Sequence, residues 1–302
     1  MTLRALIVGA AAGGGLPQWN CNARNSAAYW REGAGAPCAT QSSLAVSSDG
    51  GNWALINASP DIRAQIMARS QLQPRSDRGL RDTPIVSVLL TNADIDHIGG
   101  LLTLRERQAF QLITTAEVAE VLAANPIFNA LDPALVTRRV IGLEDPFDLA
   151  PGVRASLFSV PGKTPLYLEG ETVETEVLGE QTVGVELSDG ASSFFYIPGC
   201  AAMPAALADR LGGAALVLFD GTLWEDDEMI KQGVGQKTGR RMGHMPMSGE
   251  GGSLAAFSEL GVARKVYVHM NNTNPVWRSG PERGRAEAAG WEIGYDGMEI
   301  TL

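Results

Sequence analysis

The sequence predicts a layered α/β fold, and three observations carry that prediction. Strand-like runs rich in β-branched and aromatic residues end near Leu90, Phe219 and Val268. Segments with helix start signals lie between such runs, for example the one opened by Ser59 and Pro60 and the one at 116–124 behind Thr115. Each of the three runs also stops in residue types that bind cations, and sites in layered α/β proteins gather at the carboxyl ends of strands.

Taken in order, residues 3–8 read as a first strand, followed by a Gly-rich turn from Gly9 to Gly15. Ala11 stands where a dinucleotide fingerprint needs its second glycine, so a flexible turn is the better reading. Residues 16–41 read as a long loop. Residues 43–47 and 53–57 form a hairpin around Asp49-Gly50-Gly51. Ser59 then caps a helix with Pro60 in its first turn, and Asp61 complements the helix dipole. A charged surface loop at 71–83 leads into the buried strand 85–90, which ends in Asn92, Asp94, Asp96 and His97 before Gly99-Gly100. Helices are expected at 101–110 and 116–124, with 127–139 helical or irregular. A β-rich block at 150–197 holds strands at 153–160, 182–187 and 193–197. A helix at 205–211 precedes a buried strand that ends in Asp220. Residues 231–248 form a Gly-rich basic loop around His244. A helix at 254–260, a strand ending at His269, a helix at 281–289 and a hairpin at 291–302 around Asp296-Gly297 complete the chain. No repeat of 20–50 residues and no low-complexity segment interrupts it.

Composition excludes several function classes. Of 302 residues, 45% are apolar, enough for a large core. The net charge of −10 without a basic run argues against nucleic acid and anionic membranes as partners. No apolar stretch reaches the roughly 18 residues of a membrane span. The first residues lack the apolar core of a signal peptide. Three cysteines without paired spacing point to a cytoplasmic chain without structural disulfides.

The strand ends deliver Asp96 and His97, then Asp220, then His269: two imidazoles and two carboxylates. Asn92, Asp94 and Asp96 alone would suit an ordinary turn. The two further strand ends decide for a metal. Asp220 closes an apolar run, where a buried carboxylate needs a partner, and a cation supplies one. Two histidines and one carboxylate on one face of a metal suit non-haem Fe(II), and Zn²⁺ accepts the same ligands. Asp96, His97 and His269 are the first-choice ligands, with Asp220 either bound or one shell out.

The knot at residues 92–97 resembles the metallo-β-lactamase superfamily, whose first signature is His-x-His-x-Asp-His. Asp96 and His97 match its last two members, and Asn92 and Asp94 replace the first two. Asp220 resembles the superfamily's bridging aspartate and His269 its final histidine. Lys163 stands where its middle histidine usually follows Pro-Gly. One half-site is therefore complete and the other dismantled, which opposes two-metal hydrolysis.

Six segments spread along the chain carry a second, narrower resemblance: Gly-Gly-Gly-Leu-Pro-Gln-Trp-Asn-Cys-Asn22, Asn57-Ala-Ser-Pro-Asp-Ile-Arg63, Thr91-Asn-Ala-Asp-Ile-Asp-His97, Phe219-Asp-Gly-Thr222, Gly243-His-Met-Pro-Met247 and Tyr267-Val-His-Met-Asn-Asn-Thr-Asn-Pro275. On these the chain is similar, from end to end, to the coenzyme PQQ synthesis protein B family. It implies a four-layer αββα sandwich, one domain over 1–302, with one Fe(II) per chain at the mouth between the sheets, where Zn²⁺ can substitute. It implies Fe(II)- and O₂-dependent hydroxylation of the tyrosine ring of a peptide-derived, cross-linked Glu–Tyr precursor in making pyrroloquinoline quinone (PQQ). Many relatives hold a structural zinc with cysteines that follow the Gln-Trp-Asn-Cys segment. Here residues 22–26 are Asn, Ala, Arg, Asn and Ser, so no zinc is expected in that loop. His244 resembles the acid histidine of phosphodiesterase-type relatives and is expected near substrate, as proton donor or acceptor. Asp94 either accepts a hydrogen bond from a ligating imidazole, acts as base toward the phenol, or serves only the turn. Arg240, Arg241 and Lys237 either face substrate carboxylates or form a solvated basic loop. Lys163 fills the dismantled half-site with a fixed charge. The rival readings are a metal-dependent hydrolase and a non-catalytic carrier of PQQ or an intermediate. Oligomeric state stays open, with a homodimer among the candidates.

Overall fold

Alternation along the strands decides the layers. The computed structural model describes residues 2–170 and 173–302. In β1 (Arg4–Gly9), Ala5 and Ile7 belong to one buried cluster, while Leu6 and Val8 belong to another. Successive side chains of a strand point to opposite faces, so a strand with both faces buried reads as a continuous apolar run. Further along the chain come α1 (Arg24–Glu32), β2 (Ser43–Ser47), β3 (Trp53–Ile56), α2 (Ile62–Ala68), β4 (Ile85–Leu89), α3 (Ile95–Ile98), β5 (Phe110–Thr114), α4 (Ala116–Ala124) and β6 (Val136–Val140). The second half holds β7 (Phe147–Ala150), β8 (Val153–Ser159), β9 (Val183–Ser188), β10 (Ser193–Ile197), α5 (Ala205–Leu211) and β11 (Val217–Asp220). It ends with α6 (Glu228–Lys231), α7 (Ser253–Ala256), β12 (Lys265–Val268), α8 (Pro281–Ala288), β13 (Trp291–Ile293) and β14 (Glu299–Thr301).

The described residues form two seven-stranded mixed sheets, in the orders β14-β1-β2-β3-β4-β5-β6 and β13-β12-β11-β10-β9-β8-β7. Ile7, Leu44, Ile56 and Leu89 of the first sheet share one buried cluster with Leu157, Val185 and Phe194 of the second. The opposite face of the first sheet, with Leu6, Leu55 and Val88, is covered by Ile62 of α2 and by Val118 and Leu122 of α4. On the second sheet, Leu207 and Leu211 of α5 and Ala286 of α8 join the core. This is the predicted four-layer αββα sandwich. No helix of the described residues is long and apolar enough to cross a membrane.

Several local expectations are corrected. Residues 101–110 are not a helix but a 3₁₀ turn at Gly99–Leu102 that runs out into β5. Gly100 packs so closely that a Cβ would lie 2.2 Å from the Ser59 carbonyl oxygen, which fixes the turn against the start of α2. β6 overlaps the end of 127–139 and reads as polar because Thr137 and Arg138 are exposed, as charged edge strands tend to be. The long loop at 16–41 contains α1, which has no side-chain cap and buries Asn25, Ser26 and Ala28. Its anchor is polar, since Asn25 Nδ2 donates to the carbonyls of Asn272 and Asn274 at 2.8 and 2.9 Å. Ser59 does not cap α2. Its hydroxyl donates to Gln65, and Asp61, at the cap position, accepts from Gln41. The expected helix at 254–260 is the short α7.

The final hairpin is also corrected. β13 pairs parallel with β12 in the second sheet, while β14 pairs antiparallel with β1 in the first, so the chain changes sheets at Asp296-Gly297. There the Asp296 carboxylate accepts from Ala10 N (2.9 Å), Thr40 N (2.7 Å) and Thr40 Oγ1 (2.6 Å). Replacing it with alanine strands two backbone donors in a largely buried place. Asp296→Ala is expected to cost about 3 kcal/mol in a urea titration. A loss below about 0.5 kcal/mol, normal for a surface site, would refute that role.

Candidate metal centre

β4 of the first sheet and the parallel neighbours β11 and β12 of the second end at one mouth of the sandwich. Past β4, Asp96 and His97 ride on α3, whose backbone is tied to Asp94 through His97 N (2.9 Å). The glycine turn after β1 lies alongside. Ala11 bridges to Gln41 and Met270, and a Cβ on Gly13 would stand 3.5 Å from the Asp96 carboxyl carbon. That turn walls the site rather than cradling a nucleotide phosphate. β12 delivers His269 in the left-handed backbone region (φ 56°), which few residues other than glycine adopt.

Asp96 Oδ2 lies 3.1 Å from His269 Nε2 and 3.8 Å from His97 Nε2, and the ligand atoms of all three residues fall within 4.8 Å of one another. His97 is 1% exposed, and its Nε2 has no hydrogen-bond partner. Its other nitrogen, Nδ1, sits 2.6 Å from Asn92 Oδ1, which also accepts from Asp94 N. An amide oxygen can only accept, so Nδ1 carries the proton and the Nε2 lone pair points into the site. Burial lowers His97 to about 4, against the pull of Asp96, and so favours the neutral ring that binds metal. Burial works to raise Asp96, but His97 and His269 outweigh it and hold the carboxyl below its ordinary range. A buried, orphaned imidazole nitrogen beside a carboxylate and a second imidazole is a donor set that fits a transition metal.

Asp220 is fully committed. Oδ2 accepts from Cys200 N (2.9 Å) and His244 Nδ1 (2.7 Å), and Oδ1 from Thr222 N (3.0 Å) and Thr222 Oγ1 (2.7 Å). Thr222 Oγ1 is also 2.8 Å from His269 Nδ1. The hydroxyl has one hydrogen, for which the Asp220 carboxylate at 2.7 Å and the His269 carbonyl at 2.9 Å are the acceptors, so His269 Nδ1–H donates to its oxygen. This relay aims His269 Nε2 at the site. Burial depresses His269, but the hydrogen bond and charge of Asp96 prevail and raise it, so without metal Nε2–H pairs with Asp96. A metal must displace that proton. Calorimetry in buffers of different ionisation enthalpy is expected to find about one proton released per metal near neutral pH, with affinity falling as pH is lowered. Metal uptake without proton release would contradict the assignment.

His244 stacks on His269 with ring centroids 5.1 Å apart, and its Nδ1 faces Asp220, which leaves Nε2 for another partner. Asp94 Oδ2 accepts from Asn92 Nδ2 at 2.9 Å, and burial, then Asp96, raises its carboxyl above the ordinary range. Asn92 and Asp94 thus pair with each other, and Asn92 serves His97. Glu169 (3.0 Å) and the Thr164 carbonyl (3.0 Å) hold the Lys163 ammonium. Lys237 and Arg241 meet the same Glu169, at 2.9 and 3.0 Å. The Arg240 guanidinium donates to the Gly251 carbonyl and stands apart from this group. Sequence reasoning missed Thr222 and Glu169. Thr222 was legible only as part of Phe219-Asp-Gly-Thr222, and Glu169 had no local signal.

A family model described as a Beta-lactamase superfamily domain matches residues 52–270. "Coenzyme PQQ synthesis protein B" of Rhizobium meliloti (strain 1021) is 56% identical over 300 residues, 99% of this chain and 98% of that protein. The protein of the same name from Ruegeria pomeroyi is 56% identical over 301 residues, 99% of this chain and 100% of that one. The crystal structure of Zn²⁺-bound PqqB from Methylobacterium extorquens superposes with a TM-score of 0.96 at 47% identity, over 99% of this chain and 100% of that one. A diphosphatase of the PhnP family, at 17% identity and a TM-score of 0.69 over 100% of this chain and 98% of that one, shares the fold. With these likenesses spanning nearly its whole length, the chain belongs to the coenzyme PQQ synthesis protein B family of the β-lactamase superfamily.

Proposed function

We propose that this protein acts in PQQ biosynthesis as a mononuclear Fe(II)- and O₂-dependent hydroxylase of the tyrosine ring in a peptide-derived, cross-linked Glu–Tyr precursor. The carrying observation is the Asp96–His97–His269 set with the orphaned His97 Nε2, beside an Asp220 whose lone pairs are already engaged. Asp96, His97 and His269 would hold the ion as two histidines and one carboxylate, a set that suits ferrous iron; the neighbouring group Asp220, His244 and His269 has its carboxylate already engaged. The name shared by the relatives supports the pathway. The zinc in the Methylobacterium extorquens structure supports a metal here and fits Zn²⁺ as a substitute.

A ferrous ion held by these three residues supplies one-electron chemistry with dioxygen. Overall, a ring C–H becomes C–OH and the second oxygen atom leaves as water, with two protons and with two electrons from an external reductant. The chain's own groups handle the proton and the position. His244, with Nδ1 held by Asp220, keeps its Nε2 for a phenol. Asp94 is the second group placed to exchange a proton, and its raised carboxyl favours the protonated form. The rings of His97 and His244 pack on His269, with centroids 5.3 and 5.1 Å away, and the glycine turn lies against Asp96.

The test is an anaerobic Fe(II) titration followed by oxygen uptake with a Glu–Tyr mimic. One iron per chain with substrate-stimulated uptake is expected. Two metals per chain with phosphodiester cleavage would make the protein a hydrolase, and quinone binding without either activity would make it a carrier.

A further inference from the structure

Three cations converge on one carboxylate at the rim of the metal centre. Glu169 Oε1 accepts from Lys163 Nζ (3.0 Å), and Glu169 Oε2 accepts from Lys237 Nζ (2.9 Å) and Arg241 Nη2 (3.0 Å). Lys163 and Glu169 are each 8% exposed at the side chain, so this is a built cluster rather than a chance surface pair. Arg241, then Lys237 and Lys163, holds Glu169 down to about 2 in spite of burial, so the carboxylate is charged throughout the physiological range. Among the described residues no second carboxylate touches the three cations. Counted over the described residues, the cluster keeps an excess of two positive charges in a chain whose net charge is −10.

The place of this excess charge is informative. A Cβ on Gly243, next to His244, would lie 3.1 Å from Lys163 Cγ. Tyr167, two residues before Glu169, donates to the Ala93 carbonyl beside Asp94 (2.7 Å). Lys163 also acts electrostatically on Asp94. Lys163 thus stands beside the two groups that the proposed chemistry uses for protons, and Glu169 ties Lys237 and Arg241 to it. A fixed excess of positive charge beside a reaction site selects anions, and arginine with two lysines is a set that binds carboxylate.

We propose that Lys163, Lys237 and Arg241 form a subsite for a substrate carboxylate and that Glu169 is its built-in occupant, which an incoming carboxylate displaces. The inference rests on the carboxylate-bearing substrate proposed above and adds how the protein recognises it. A tethered competitor acts at an effective concentration in the millimolar range or higher, so it weakens every external carboxylate and sets a threshold against simple monocarboxylates. A ligand with several carboxylates overcomes it, because the excess charge remains attractive after one exchange.

The probe is propane-1,2,3-tricarboxylate, titrated by calorimetry at low salt into the full-length chain loaded with Zn²⁺, which takes oxygen chemistry out of the readout. Glu169→Gln keeps the shape of the side chain and removes its charge. It is expected to tighten the probe by about tenfold. Arg241→Gln is expected to weaken it by about tenfold, in both the unchanged and the Glu169→Gln backgrounds. If Glu169→Gln melts early, Glu169→Ala empties the same cradle and is expected to tighten the probe likewise. A folded Glu169 variant that binds the tricarboxylate no tighter than the unchanged protein overturns the proposal, whatever Arg241→Gln does. Failure of the iron chemistry leaves this readout intact, so the two readings fall separately.

Discussion

Replacing His269 by alanine is expected to abolish stoichiometric iron binding, with affinity falling more than a hundredfold, beyond the roughly 10–100-fold that losing an outer-shell partner brings. In the proposed site three ligand atoms lie within 4.8 Å of one another, and of these three residues His269 is the one that follows a strand of the second sheet. Without it, Asp96 and His97 on the short α3 offer two ligands from one side. The substitution also removes the imidazole that stabilises Asp96. A carboxyl held below its ordinary range contributes stability above its unfolded value, here 3.8, and loses it as pH falls through the folded value. The variant is therefore expected to be less stable than the unchanged protein near neutral pH and to approach it in acid. Backbone strain separates the two effects. Alanine inherits the left-handed conformation at φ 56°, which glycine adopts without strain. His269→Gly is expected to be more stable than His269→Ala by about 1 kcal/mol. Both should lack iron, and added imidazole should restore iron to the glycine variant alone or better than to the alanine one. Iron titrations are the check, and an unchanged affinity in either variant would remove His269 from the ligand set.

What was legible in the sequence follows from where each signal lies. β4, β11 and β12 are buried on both faces, so their composition announces them, and each ends in a ligand-type residue within a few positions. Asp96, His97, Asp220 and His269 could therefore be picked out singly. β6 escaped because an edge strand exposes charged side chains, and α1 because its anchor is the Asn25 amide rather than an apolar stripe. The exchange of sheets after β13 was hidden because Asp296-Gly297 is also a good hairpin turn. Its long-range role, holding Ala10 and Thr40, has no local signature. The same holds in the site. Thr222 matters through a hydrogen bond to a residue 47 positions away, and Glu169 through partners 68 and 72 positions away. Residue type reveals a ligand, whereas the partner that aims it depends on the fold.

That distinction makes Asp220 the second large test. Four donors reach its carboxylate: two backbone N–H groups, from Cys200 and Thr222, one hydroxyl and one imidazole. Burial raises its carboxyl, yet His244 and the other donors outweigh that and hold it low, so the group is a buried, ionised acceptor. An asparagine in its place has one accepting oxygen and one donating NH₂. Turned either way, the NH₂ faces a backbone N–H, of Cys200 or of Thr222, in a position that is 0% exposed. Asp220→Asn is expected to lose about 3–5 kcal/mol of stability, the range for breaking a buried charged partnership, and to lower Tm by roughly 10 °C. Metal affinity should fall as well, by roughly 10–100-fold, because Thr222 no longer has a carboxylate to donate to and His269 Nδ1 loses its fixed acceptor. Thr222→Val separates the two effects. It removes only the relay hydroxyl, so it should reproduce much of the affinity loss at a cost of about 1–3 kcal/mol. If Asp220 were a direct ligand instead, Thr222→Val would leave metal affinity near its original value while Asp220→Asn abolished it. The ratio of the two affinity losses therefore distinguishes a carboxylate that binds the ion from one that aims the imidazoles that do.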